Sequence, residues 1–137
     1  MKWELSKGET IRRKDLHRRF GGGGQGGISP SRRSPNIFIF SDPAAGEQHG
    51  YHDRWDGKVF LYIGEGQSGD QQMVRGNKAI LMHVEDRRSI RLFWGCRGEV
   101  TYGGEFEIDH IEPWLTERAT SLEGKTRNVI VFRLREI

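Results

Sequence analysis

The sequence has one cysteine, Cys96, so an internal disulfide and a cysteine-rich zinc site are both excluded. A lone thiol fits a reducing compartment. No apolar run approaches the ~18–20 residues that a spanning helix requires, and the N-terminus has no apolar core of a signal peptide. These absences predict a cytoplasmic protein. There is no Gly-x-Ser-x-Gly elbow for a serine nucleophile, no His-Asn-His nuclease core and no internal repeat. His49, His52 and Asp53 could begin a metal site, but no second His or Cys cluster accompanies them, and a pair of loop histidines is the plainer reading.

What is plentiful is glycine. Nineteen in 137 residues is about twice the usual share and implies many turns in a β-rich chain. Seven Phe, four Trp and three Tyr provide for one core despite 34% apolar content. The net charge of +3 says little by itself. Its placement says more: Arg12, Arg13, Lys14, Arg18, Arg19, Arg32 and Arg33 fall within the first 33 residues against Glu4, Glu9 and Asp15. This basic excess brackets residues 21–36, GGGGQGGISPSRRSPN, whose glycines and prolines predict a loop. A flexible linker is the alternative, but the stretch stops abruptly at an apolar run.

Ser6-Lys7-Gly8-Glu9 has the spacing of a capping box and predicts a helix from there through Ile11, Leu16 and Phe20, ended by Gly21. With so few apolar residues, it should lie on the surface. Strands are expected at 37–40, 59–63, 90–94 and 129–134, with one or two more over 98–108 broken at Gly103-Gly104. A short helix is expected over 76–85. The sum is a single α+β domain over 1–137, mostly β, with connections too short for repeated βαβ units.

Gly64-Glu65-Gly66-Gln67-Ser68-Gly69 has dinucleotide-fingerprint spacing and the spacing of a phosphate loop. A phosphate loop needs Lys and Ser/Thr next, and here Asp70 and Gln71 follow. A fingerprint needs a βαβ unit, which this chain lacks. The better group is Tyr51, Asp53, Trp55, Asp56 and Tyr62. Two aromatics can sandwich a flat ring, and a carboxylate can accept from an exocyclic amine such as cytosine N4. That is the chemistry of holding a flipped base. Core packing of Tyr62 and turn chemistry for Asp53 and Asp56 form the competing reading.

Motif order extends this. GYHDRWDGKVFLYIGEG resembles the signature of the SRA (SET-and-RING-associated) domain, G-Y-x-D-D-x-D-x-G-x-x-F-x-Y-T-G-x-G. Asp70-Gln71 and Asn77-Lys78-Ala79-Ile80-Leu81 resemble its D-Q-x-L…N-x-A-L helix. TYGGEFEI at 101–108 resembles its Y-D-G-x-Y-x-V strand, and Val129–Arg135 its closing strand. Leu16-His17-Arg18 and Gln25-Gly26-Gly27-Ile28 are similar to its V-H-R…G-I. The matches run in order over about 16–136. The F-G-G-x-x-Q-G-G-I loop and G-E-G-Q-x-G-D are similar to the bacterial reading modules of modification-dependent, McrA-like HNH restriction endonucleases.

The resemblance implies a twisted SRA/PUA-like β-barrel with two or three flanking helices. It implies binding of double-stranded DNA through a flipped 5-methylcytosine or 5-hydroxymethylcytosine, with no cofactor, metal or catalytic residue of its own. The chain would be a standalone reader or one domain beside an HNH nuclease, in the bacterial cytoplasm and on the nucleoid when bound. Tyr51 and Tyr62 match the tyrosines flanking the base; Asp53, with Asp56 competing, matches the N4-reading carboxylate. Trp55, Ile63 and Gly64 complete the pocket, Ile63 standing where the family has Thr. The spacing from Tyr51 to Tyr62 is one residue shorter than the family's, and its finger insert is largely missing. The expected duplex-facing set is His17, Arg18, Arg19, Gly23, Gly24, Gln25, Gly26, Gly27, Ser31, Arg32, Arg33, Arg75 and Asn77. Gln25 would fill the gap left by the base, and the arginines would neutralise phosphates. Two other functions stay open on the residues alone. One is a metal-dependent nuclease or hydrolase using Asp53, Asp56, Glu65 and nearby His; the other is a PUA-like RNA-binding barrel.

Overall fold

A computed structural model describes residues 2–42, 52–120 and 124–137. The elements in chain order are β1 (Thr10–Arg12), α1 (Arg13–Phe20), β2 (Ile28–Pro30), β3 (Asn36–Ser41), β4 (Arg54–Asp56), β5 (Val59–Ile63), α2 (Arg75–Leu81), β6 (Ser89–Trp94), β7 (Glu99–Ile108), β8 (Trp114–Thr120) and β9 (Thr126–Glu136). All the described strands belong to one sheet, ordered β2-β3-β6-β7-β9-β5-β4, with β1 added on β7 and β8 on β9. Among the described strands, only β3 and β6 run parallel. The class is α+β, mostly β, as the sequence predicts. No helix among the described residues is long and apolar enough to cross a membrane.

The apolar run Ile37-Phe38-Ile39-Phe40 explains the layering. Successive strand side chains point to opposite faces, and β3 is buried on both. Ile37 and Ile39 enter one core with Phe60, Leu92, Phe106 and Phe132. Phe38 and Phe40 enter a second with Leu16 and Phe20 of α1, Phe93 and Tyr102. The first core draws from both ends of the strand order, from Ile28 on β2 and from Phe60 and Tyr62 on β5, so the sheet curls around it. The backbone ladder does not close into a barrel. Instead, the Tyr62 hydroxyl reaches across the seam to the carbonyls of Gly27 (2.9 Å) and Phe40 (3.0 Å).

Several local expectations need correction. Ser6 and Glu9 do meet, the Ser6 amide donating to the Glu9 carboxylate at 2.6 Å, but they form a turn. Gly8 there takes a φ of 96°, which a helix forbids. The chain then pairs as β1 with β7, and the helix starts only at Arg13. That helix is not superficial, since Leu16 and Phe20 are fully buried and Arg13 and His17 nearly so. β7 runs unbroken through Gly103 and Gly104, absorbing Gly103 as a bulge opposite Leu92 and Phe93. A Cβ on Gly103 would stand 2.7 Å from Trp94 Nε1, so packing accounts for this glycine. β8 was not foreseen; its alternating burial becomes legible only when it pairs with β9.

Candidate nucleic-acid interface

A cavity of about 760 Å³ opens at the seam between β2–β3 and β5, a volume usual for ligand sites. Tyr62, Phe40, Ile63, Gly64 and Asp53 form its wall, with Gly26 and Gly27 at one rim and the 64–72 loop with Arg75 at the other. The register of the β4–β5 hairpin explains which carboxylate arrives. Arg54 pairs with Leu61 and Asp56 with Val59, so Asp53 comes level with Tyr62 and Ile63. Asp56 lies three residues further on, about 10 Å along the strand, exposed beside the turn at Gly57. Asp53 borders the cavity and Asp56 does not. Trp55 is also outside it, half exposed and packed on Phe60 and Phe106 with ring centroids at 5.1 and 6.0 Å. The expectation that Trp55 and Asp56 line the base pocket is thereby corrected. Tyr51, like His49, lies outside the described residues.

Asp53 is held on both oxygens. The Ser41 hydroxyl donates to Oδ2 at 2.5 Å and the Ile63 amide to Oδ1 at 2.7 Å. Burial pushes its acid up to about 6, against the lowering effect of those two bonds and of nearby His52 and Arg54. At neutral pH it is a fixed, partly desolvated acceptor. A carboxylate has about four lone-pair sites, so acceptor capacity remains beyond the two bonds. Burial also raises the Tyr62 phenol well above its usual range, which keeps it a donor.

The 64–72 loop is clamped from within. The Asn77 side chain accepts from the Glu65 amide (2.8 Å) and donates to the carbonyls of Glu65 and Gln72. Gln71 donates to Gly64 O and accepts from the Ile130 amide. The Arg127 guanidinium bonds the carbonyls of Gly66 and Gly69. A Cβ on Gly64 would fall 2.8 Å from Asn77 Oδ1, so only glycine fits. The loop is a rigid rim rather than a phosphate cradle. Asn77 is fully buried, and its expected place on the duplex is corrected to this internal clamp. Arg75 opens α2 at a φ of 51° and stays exposed at the rim.

On the other rim, Gly23, Gly24, Gln25 and Gly26 are exposed and Gly27 half-buried. His17 and Ser31 are buried beneath and cannot face a duplex. The His17 ring donates from Nδ1 to Gly21 O at 2.8 Å while its Nε2 accepts from Arg13. The Ser31 hydroxyl donates to Phe20 O and receives the amides of Arg33 and Ser34. Both expectations fail because the motif residues next to the loop are the ones that fasten it. Arg18 pairs with Asp15 and Arg19 with Glu4, all on the surface. Arg33 caps α1, donating to the carbonyls of His17 and Arg18, while Arg32 is exposed. Sequence reading missed the roles of Arg13, Gln71 and Arg127, which depend on contacts remote in the chain. The D-Q of the helix motif was the one available signal. Among the described residues, no three of His, Cys, Asp and Glu gather as a metal site would require.

This architecture has known counterparts. The sulfur-binding and SRA domains of ScoMcrA, solved with phosphorothioated DNA, superpose with a TM-score of 0.75 at 22% identity, over 98% of this chain and 40% of that one. ScoMcrA itself, a type IV phosphorothioation-dependent restriction endonuclease, gives 0.73 at 22% identity, and this chain spans 28% of it. The SUVH5 SRA domain with hemi-methylated CG DNA gives 0.66 at 26% identity, over 97% of this chain and 89% of that one. A comparison with curated proteins gave no match. A family model described as "ScoMcrA-like, SRA domain" matches residues 7–137. The chain belongs to the ScoMcrA-like SRA domain family.

Proposed function

We propose that this chain reads modified DNA by extruding a modified cytosine, 5-methyl or 5-hydroxymethyl, into the cavity at the sheet seam. The observation that carries this reading is Asp53. It is a half-buried carboxylate fixed by Ser41 and Ile63, bordering a cavity roomy enough for a base beside Tyr62. An acceptor so placed suits the N4 amine of cytosine. The exposed Gly23–Gly26 loop, carrying Gln25, faces the duplex, Arg75 supplies charge at the opposite rim, and exposed Arg32 adds charge on the protein surface. Relatives of the same fold have been solved with methylated and with phosphorothioated DNA. A fused or partner HNH nuclease would supply cleavage.

The test is a salt-controlled titration with duplexes carrying one plain, 5-methylated or 5-hydroxymethylated cytosine next to 2-aminopurine. Modified duplexes should bind tighter and raise the fluorescence, and Asp53→Ala should abolish the difference while leaving salt-dependent binding. Equal binding to all three duplexes would defeat the reading.

A further inference from the structure

Arg13 belongs by sequence to the basic cluster around the glycine loop, yet its side chain is 5% exposed and out of reach of phosphate. Its Nε donates to His17 Nε2 at 3.0 Å and its Nη1 to Cys96 O at 2.9 Å. Nη2 donates to Gly23 O (3.1 Å) and Gly26 O (2.8 Å). The guanidinium carbon lies 3.7 Å from the Phe40 ring centroid, a cation–π distance. None of these bonds goes to a carboxylate, so the charge is spent on neutral acceptors.

The partners form two sets. Gly23 and Gly26 bracket Gln25 on the exposed loop. Phe40, Cys96 and Gly26 border the cavity. A single planar fork therefore joins the loop to the cavity wall. His17 completes the bracket, since its Nδ1–H is committed to Gly21 O and leaves Nε2 free to accept from Arg13. Ser29 grips the same glycine from the other side, accepting from the Gly23 amide and donating to its carbonyl.

We propose that Arg13 is a positioning residue that locks the Gln25 loop to the base cavity, so that filling the vacated stack and receiving the base are one pre-set event. The inference rests on the base-extrusion reading above. Unstacking a base is costly, and a loop that must also be ordered adds its own entropy. A rigid link removes that second cost. Lysine cannot replace the link, because an ammonium lacks the fork that spans four acceptors.

The experiment compares wild type, Arg13→Lys and Gln25→Ala on three duplexes: plain, modified and paired, and modified opposite an abasic site, where extrusion is cheap. Arg13→Lys should bind plain duplex within about twofold of wild type, since phosphate contacts are untouched. It should lose roughly tenfold or more on the paired modified duplex, together with the 2-aminopurine rise. On the abasic partner, it should recover to within about twofold of wild type. Gln25→Ala should weaken extrusion in wild type and add nothing in the Arg13→Lys background. If Arg13→Lys does not fold, Ser29→Ala releases the same glycine and should show the same pattern at smaller size. Wild-type extrusion by Arg13→Lys would overturn the inference, and so would an equal loss on paired and abasic substrates, which would mean that Arg13 only supports the fold. Failure of wild type itself to prefer modified DNA would bring down the underlying reading, and is seen before any variant is made.

Discussion

Asp53 accepts one hydrogen bond from a hydroxyl and one from an amide, yet burial still lifts its acid to about 6. The folded carboxyl thus keeps its proton to a higher pH than the unfolded one, which releases it near 3.8. Between those values, the folded state binds more protons, so stability falls as pH rises from about 4 to about 6, and the deficit is complete above that. Keeping this half-buried group charged at neutral pH costs roughly 1–3 kcal/mol. Asn is isosteric and uncharged. Its Oδ1 can keep the Ile63 amide, which turns its amide nitrogen toward Ser41. Asp53→Asn should therefore melt a few degrees higher than wild type at pH 7.5, the gap closing toward pH 4, as thermal scans across pH would show. The same variant should lose preference for modified cytosine, because it offers N4 a donor where an acceptor is needed. In wild type, that preference should weaken as pH drops below about 6. A variant no more stable than wild type at pH 7.5 would mean that the charge is well solvated and the acceptor not pre-set at a cost.

At the scale of elements, the basic loop separates into two jobs. Arg33 is tied to the last carbonyls of α1, where a cation also favours the helix dipole. Arg32 is exposed beside it. Arg33→Ala should cost about 1 kcal/mol of stability, read by denaturant melts. Arg32→Ala should leave the melt unchanged and lower the salt slope of DNA binding by about 1. The strands that carry the site were legible because their pattern is local: Ile37–Phe40 and Val59–Ile63 read as buried strands without any partner. Motif spacing picked out Tyr62 and Asp53, which both border the cavity, and the hairpin register separates Asp53 from Asp56. The illegible part is whatever depends on the fold closing. Ser6-x-x-Glu9 makes the carboxylate half of a capping box, Glu9 accepting from the Ser6 amide, but in a turn whose Glu9 amide bonds the Ser6 carbonyl. His17 and Asn77 look like ligand contacts in a motif and become fasteners once buried. Arg13 looks like one more surface arginine until Gly23, Gly26 and Cys96 come to it from remote positions.

The molecule as a whole is a sheet that curls without closing, and its cavity lies on the unclosed line. A closed ladder would leave no gap between β3 and β5 for a ligand, whereas an open one leaves two strand ends held only by side chains and packing. Tyr62 is the tie, its hydroxyl shared between Gly27 O and Phe40 O. Tyr62→Phe keeps the ring and removes the tie, at an expected cost of about 1 kcal/mol for the lost hydroxyl hydrogen bonds. The loss should be local. The Phe40 amide, which bonds Gly27 O on the β2–β3 side of the seam, and the Ile63 amide on Asp53 should exchange hydrogen faster. Amides of β6, β7 and β9, in the continuous part of the sheet, should slow or quicken only with global stability. On the base-extrusion reading, preference for modified cytosine should survive, since the ring is kept. A uniform rise in exchange across all strands would instead make Tyr62 an ordinary core residue, and the seam would then be held by packing between β2, β3 and β5 alone.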